Sequence, residues 1–316
     1  MNIYLGVTDT EWFNYLRTKN PEDVNFWQPG GSSAFRILEL GAPFLFKLKS
    51  PINAIGGVGF FASHSFLPLS IAWDYFGDRN GCASYNAFRS KIIRYRNKKG
   101  IDENNPVIGC IVLTEPVFFP KDEWIEVPDS WNKNIVQGKT YSTEEADGRA
   151  LWAEVQARLE RVSATQRILK DSDAMIAAEG VAEKYGSAYL IKPRLGQGAF
   201  RVLVADAYSR RCAVTGEKTL PVLEAAHIKP YAESGPHRTA NGLLLRSDIH
   251  KLFDAGYVSI TEDYRIEVSS RIKEEYENGR EYYAHHGGTL MIIPSVSVDQ
   301  PSKDYIRWHN ENVFRK

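Results

Sequence analysis

The sequence predicts an α+β chain built from two unlike modules, and three observations carry that expectation. Its 316 residues are about twice the roughly 150 of an ordinary domain. Short apolar runs bounded by Gly and Pro fill the first 140 residues, the pattern of β-strands. An Ala- and Glu-rich stretch then sets in near residue 143, and a basic, Gly-containing segment follows from about 187. The spans expected are therefore 1–142, a helical connector over 143–186, and 187–316.

Bulk composition excludes several classes. No run approaches the roughly 18 apolar residues of a membrane-spanning helix, and MNIYLGVTDTEWF lacks the basic and apolar regions of a secretory signal. Lys+Arg and Asp+Glu are both 39, so a nucleic-acid partner has to declare itself through local charge. Cys82, Cys110 and Cys212 are odd in number and far apart, which argues against a disulfide framework. A cytoplasmic protein without membrane association is expected.

In the first module, AFRILEL, PFLFKLK, GVGFFASHSF and NPVIGCIVLTEPVFF read as strands, with a turn at the GFF sequence. Helices are expected near 68–77 and over 84–96, where apolar residues fall three and four apart. The sum is a mixed sheet or barrel. In the connector, Leu151, Val155 and Leu159 have helical spacing, and Glu144 and Glu145 suit a first turn. It serves equally well as the last helix of the first module.

The second module begins with a helix near 198–210. Across 192–251 there are ten Lys/Arg against five Asp/Glu, a local excess of +5 in a neutral chain. Inside this span lies LPVLEAAHIKPYAESGPHRTANGLLLRSDIHKLFDAGYVSI. VLEAAHI has strand character and ends near His227; a polar loop leads to Asn241-Gly242 and a second strand, LLL. Ser247 is placed to cap a short helix, DIHKLFDA, that stops at Gly256. On that helix His250 and Asp254 are four apart and share one face, while Ile249, Leu252 and Phe253 lie on others. Strand, loop, strand and helix thus present one His from a strand and a His/Asp pair from a helix.

This stretch resembles the HNH, or ββα-metal, nuclease motif, with His227, Asn241 and His250 as its naming residues, separated by 14 and 9 positions. The wider context, CAVTG…LEAAHIKPY…NGLLLRSDIHKLFDAGY, is similar to HNH modules of bacterial restriction endonucleases over about 70 residues. The resemblance implies phosphodiester hydrolysis of double-stranded DNA. His227 would be the general base, a task suited to an imidazole of ordinary pKa about 6.5. His250 and Asp254 would bind a divalent metal, for which Mg²⁺ or Mn²⁺ suits the donors, and Asn241 would tie the loop by side-chain hydrogen bonds. One departure is Ala226, where many HNH nucleases carry a metal ligand. Glu224, two residues earlier on the same strand face, is the candidate to compensate directly or through water; otherwise two protein ligands hold the metal. A second departure is the lack of CxxC pairs, which leaves Cys212 to packing.

Arg194, Gln197, Arg210, Arg211, Lys229 and Arg238 are candidate DNA-backbone contacts, and His237 a candidate phosphate contact. His285-His286 reads as a solvated pair, and His309 as part of a C-terminal packing helix. The strand-rich first module is similar in layout to the PUA-like superfamily, which includes the SRA and EVE readers of modified cytosine. That resemblance implies a base-enclosing pocket, for which Phe60, Phe61, Ser63, His64 and Ser65 are the candidates, with Trp27 and Trp73 as walls. The function implied is modification-dependent restriction, a role in antiviral defence. Three alternatives stand beside it: a nuclease reading unmodified sequence, one reading phosphorothioate or a nucleotide signal, and a non-catalytic nucleic-acid sensor. Duplex cleavage needs two nicks, which makes a homodimer attractive.

Overall fold

Residues 1–96, 104–173 and 195–316 are described by a computed structural model of the chain, which divides into two units, Met1–Ala199 and Phe200–Lys316. In the first, strand β1 (Asn2–Thr8) leads into helix α1 (Thr10–Lys19). Asp9 starts that helix by accepting from Trp12 N at 3.0 Å, and Asn20 ends it in the left-handed region at φ 46°. Strands β2 (Asp23–Gln28), β3 (Pro43–Leu48) and β4 (Ala54–Pro68) follow, then helices α2 (Leu69–Phe76) and α3 (Tyr85–Arg96). Strands β5 (Val107–Phe118), β6 (Ile125–Glu126) and β7 (Gly138–Ser142) precede the long helix α4 (Ala146–Asp173).

Among the described residues the strands form one mixed sheet in the order β2-β5-β4-β3-β1-β7, with β6 on β4. β1 and β3 run parallel, and the other pairings are antiparallel. Both faces are buried. Phe44, Phe46 and Leu48 of β3 join Trp12, Phe13 and Leu16 of α1 in one cluster. Leu45 of β3 and Ile3 and Leu5 of β1 join Leu151, Val155 and Leu159 of α4 in another. Burial on two sides is why PFLFKL does not alternate but is apolar at every position except Lys47.

Two sequence expectations need correction here. AFRILEL is not a strand: Phe35 and Leu38 enter the first cluster from an irregular segment. The strand after it, β3, already has β1 and β4 as neighbours, so no adjacent ladder is open. The GFF sequence is not a turn either. It lies inside the 15-residue β4, where the pairing with β5 shifts register between Val58 and Phe60 and again between Phe61 and Ser63, so it marks bulges.

The second unit contains helix α5 (Gln197–Ala207) from Phe200 onward, strands β8 (Leu223–His227) and β9 (Gly242–Arg246), and helix α6 (Ser247–Asp254). After these come the hairpin β10 (Val258–Ile260) and β11 (Ile266–Val268), and helices α7 (Arg271–Tyr276), α8 (Arg280–Tyr283) and α9 (Lys303–Asn312). Cys212 is fully buried, and its sulfur accepts from Thr215 N at 3.5 Å and Arg246 N at 3.3 Å, joining the CAVTG turn to the end of β9. Ser247 does not cap α6. It is the first helical residue, Arg246 holds the capping position, and Gly256 follows the helix at φ 78°. Among the described residues no helix is long and apolar enough to cross a membrane.

The cover of the sheet by α4 has a measurable consequence. Leu151→Ala should destabilise the first unit by about 2–5 kcal/mol, the usual range for truncating a buried Leu. Glu154→Ala, on the exposed side of the same helix, should stay within about 0.5 kcal/mol. Urea unfolding followed by tryptophan fluorescence compares the two, and equal effects would contradict the packing of α4 on this sheet.

Candidate active site

β8 and β9 pair antiparallel in the register His227↔Gly242 and Glu224↔Leu245, and α6 follows β9 without a loop. The side chain of Asn241 is buried just ahead of β9. Its Nδ2 donates to Lys229 O at 2.9 Å and Pro236 O at 3.0 Å, while its Oδ1 accepts from Lys229 N at 2.9 Å. The Asn-Gly dipeptide is not a tight-turn signal here, since Gly242 is extended at φ −125°. A Cβ on it would stand 2.4 Å from Val204 Cγ2 and 3.1 Å from the Phe200 ring, so glycine lets β9 approach α5.

His227, at the end of β8, stacks on Phe200 with ring centroids 3.9 Å apart and planes within 11°. Its Nε2 lies 2.9 Å from Nδ1 of His237, and the His237 ring stacks on Tyr231 at 4.5 Å. Burial, and then the neighbouring His237, push the His227 pKa down to about 4, so the imidazole is neutral at physiological pH.

His250 has the opposite environment. Its Nδ1 is 2.6 Å from Glu224 Oε2 and its Nε2 is 3.2 Å from Asp254 Oδ2. Burial works to lower its pKa, but the two carboxylates outweigh that and raise it. The structure therefore brings Glu224, His250 and Asp254 together. One imidazole and two carboxylates are suitable donors for a hard divalent cation. Both ring nitrogens of His250 face carboxylates, however, and among the described residues no group of three His, Cys, Asp or Glu side chains has the arrangement of a formed metal site.

The helix behind this site is held by a residue the sequence left to packing. His309 of α9 stacks on Phe253 at 3.9 Å, its Nε2 is 3.1 Å from Phe253 O, and its Nδ1 is 2.9 Å from Ser259 Oγ. His286 is not simply solvated, because its Nδ1 accepts from Val268 N at 3.0 Å.

The candidate DNA contacts divide. Arg210 pairs with Asp206 at 3.0 Å, and Arg211 donates to Gly216 O at 3.3 Å, so both make bonds within the unit. Lys229 holds its ammonium over the Trp308 ring at 5.3 Å. Gln197 and Arg238 are exposed, and Arg194 lies outside the described residues. His237, read as a phosphate contact, has its Nδ1 2.9 Å from Nε2 of the base candidate His227. Nothing in the spacing signalled that, because the pairing depends on how the loop closes.

The first unit contains a cavity of about 380 Å³ whose lining includes Asp9, Phe26, Trp27, Gln28, Lys49 and Tyr95. Trp27 is fixed by donation from its Nε1 to Asn80 O at 3.0 Å. Asp9 accepts from Lys91 at 3.1 Å and from Tyr95 OH at 2.8 Å. Burial opposes its charge, but the Trp12 amide, Tyr95 and Lys91 prevail and hold the carboxyl at about 2. Gln28 Oε1 is buried without a hydrogen-bond partner. The other pocket candidates do not border this cavity. Phe60 and Phe61 are core residues; Ser63, His64 and Ser65 lie opposite Val112, Ile111 and Cys110 within the β4–β5 ladder; and Trp73 packs against Tyr85 and Phe88. Aromatic content alone could not separate core from wall.

Residues 212–261 match the family model of HNH endonucleases, so the second unit carries an HNH endonuclease domain. No curated protein matches the chain. Among solved structures, the ASCH protein of Zymomonas mobilis aligns at 11% identity over 46% of this chain and 93% of its own, with a TM-score of 0.32. The modification-dependent TagI restriction endonuclease aligns at 13% identity over 92% of this chain and 75% of its own, with a TM-score of 0.26.

His227 and His309 both titrate at about 4 in the folded unit, against an ordinary value of 6.5, with burial as the first cause in each. Unfolding therefore takes up protons between those values, so their contribution to stability is intact above about pH 6.5 and declines as pH falls toward 4. The thermal midpoint of the second unit should drop over that window, and His309→Gln should flatten the slope. Calorimetric scans from pH 7 to 4 check both, and a pH-independent midpoint would refute the assignment.

Proposed function

We propose that the protein is a metal-dependent DNA endonuclease that hydrolyses phosphodiester bonds near modified cytosine, a modification-dependent restriction enzyme in antiviral defence. The observation that carries the nuclease reading is the ββα unit itself, with a neutral His227 on its strand and Glu224, His250 and Asp254 gathered at its helix. Glu224, His250 and Asp254 would hold the metal, and their donor chemistry suits Mg²⁺ or Mn²⁺. When bound, such an ion supplies charge relief to the phosphate and to the leaving oxygen. His227 takes a proton from the attacking water. Stacking on Phe200 fixes its plane, and Asn241 holds the loop beside it.

The specificity reading rests on the first unit. Its cavity of about 380 Å³ falls in the roughly 300–1,000 Å³ range of small-molecule sites, enough to enclose an extruded base. Trp27 provides an aromatic wall, and the amide of Gln28 has the donor and acceptor that a cytosine edge requires. A homodimer would provide the second nick of a duplex cut, and Gln197, Lys229 and Arg238 would contact the DNA backbone.

Matched duplexes that are unmodified or carry 5-methylcytosine or 5-hydroxymethylcytosine test this function, with EDTA and Mg²⁺ add-back as the metal control. Cleavage should require the metal and favour a modified duplex by roughly 10- to 200-fold, since a methyl in an enclosing pocket is worth only about 1–3 kcal/mol. His227→Ala should lower cleavage by about 10²–10⁴-fold with DNA binding retained. Trp27→Ala should remove the preference before it removes binding. Equal cleavage of all three duplexes would sink the modified-base reading, and a fully active His227→Ala protein would sink the base assignment.

A further inference from the structure

The contact between His227 and His237 has a consequence for how the base works. Nε2 of one and Nδ1 of the other are 2.9 Å apart, with no atom between them, so the two nitrogens share one proton. Only two arrangements are open to the neutral pair. In one, His237 donates from Nδ1; the Nε2 lone pair of His227 is then occupied, its Nδ1 carries the other proton, and no lone pair is left to act as a base. In the other, His227 donates from Nε2, and its Nδ1 lone pair is free.

We propose that His237 is the positioning residue of the base: its Nδ1 accepts the Nε2–H of His227 and fixes the tautomer whose Nδ1 can take a proton from water. The inference rests on the nuclease reading, because of the two arrangements only this one leaves His227 a lone pair to act as a base. A base oriented by a third group is the general logic of activated catalytic pairs.

The rest of the loop is built to hold His237 at that point. Its ring stacks on Tyr231 with planes within 12°. Asn241 Nδ2 holds the carbonyl of Pro236, the residue just before it. Ser234 adopts φ 63°, and a Cβ on Gly235 would stand 1.9 Å from Lys229 O, so the loop closes tightly only with glycine there. Around the pair, Phe200 stacks on His227, Tyr231 stacks on His237, and the charges of Asp254, His250 and Arg201 act on His227 from further away.

Two full-length variants separate this role from packing. His237→Phe keeps a flat ring against Tyr231 but has no acceptor, and His237→Asn restores an acceptor near the Nδ1 position. With Mg²⁺ and plasmid DNA, His237→Phe should lower kcat by about 10- to 100-fold, part of the full general-base effect, and leave KM within about twofold. His237→Asn should recover most of that loss. Long-range ¹⁵N–¹H spectra of histidine-labelled protein should show His227 as the Nε2–H tautomer in the wild type and as a tautomer mixture in His237→Phe. A wild-type His227 protonated on Nδ1 would overturn the inference. So would a His237→Phe enzyme of unchanged kcat beside an inactive His227→Ala enzyme, or equal losses in the Phe and Asn variants. Wild-type protein that cuts no DNA would count against the nuclease reading alone, and the tautomer spectra would still decide the pairing.

Discussion

The second unit depends on one buried amide. Asn241 satisfies three backbone groups with a single side chain: the N–H and C=O of Lys229 at one end of the loop and the C=O of Pro236 near the other. Its own carbonyl adds a fourth tie by accepting from Ile228 N at 2.9 Å. A buried polar group left unpaired costs about 1–3 kcal/mol, so this residue has to be an amide. An aspartate in its place offers no donor and faces two carbonyl oxygens with negative charge, and a leucine leaves all three groups unpaired. The loop so closed carries Tyr231 and His237 to His227.

Around that frame the same residue type is placed in two opposite electrostatic surroundings. His227 is enclosed by Phe200 and another imidazole, and both influences favour the neutral form. His250 sits between Glu224 and Asp254, which favour the charged form against the effect of burial. Divergent pKa shifts in neighbouring groups are a general mark of divided roles in a site. Ala226 belongs to the same design. It is fully buried opposite Leu243, while the more exposed Glu224 on the same strand brings its carboxylate to His250.

Much of this was legible in the sequence. Apolar periodicity marked β3, β5, α2 and α3, and the inward face of α4 followed from Leu151, Val155 and Leu159. Residue type and spacing brought His227, Asn241, His250 and Asp254 into one unit, and strand parity brought in Glu224. What stayed hidden was tertiary. Phe35 and Leu38 look like strand residues because burial, not pairing, makes them apolar. Phe60 and Phe61 look like pocket walls because a sheet covered on both faces needs large rings in its core. His237 could not be paired from its position, since nine residues of loop lie between it and His227. The cavity beside Trp27 draws on residues from β1 to the segment before β7, and no local pattern announces such a set.

The charge distribution bears on how the proposed specificity would work. The chain is neutral overall, and the local excess of +5 around the motif is less available than it looks. Arg210 faces Asp206, Arg211 faces a backbone carbonyl, and Arg246 is clamped between Asp248 and Glu281. Phosphate attraction that is indifferent to sequence scales with the number of free cations, and here that number is reduced by internal pairing. A weak general attraction raises the importance of any base-dependent contact, because the ratio between the two decides which sites are occupied. A cavity with aromatic walls, among them Trp27, a fixed carboxylate at Asp9 and an unmatched amide oxygen at Gln28 would contribute only a modest discrimination energy. That modest energy is sufficient when the background it competes with is low.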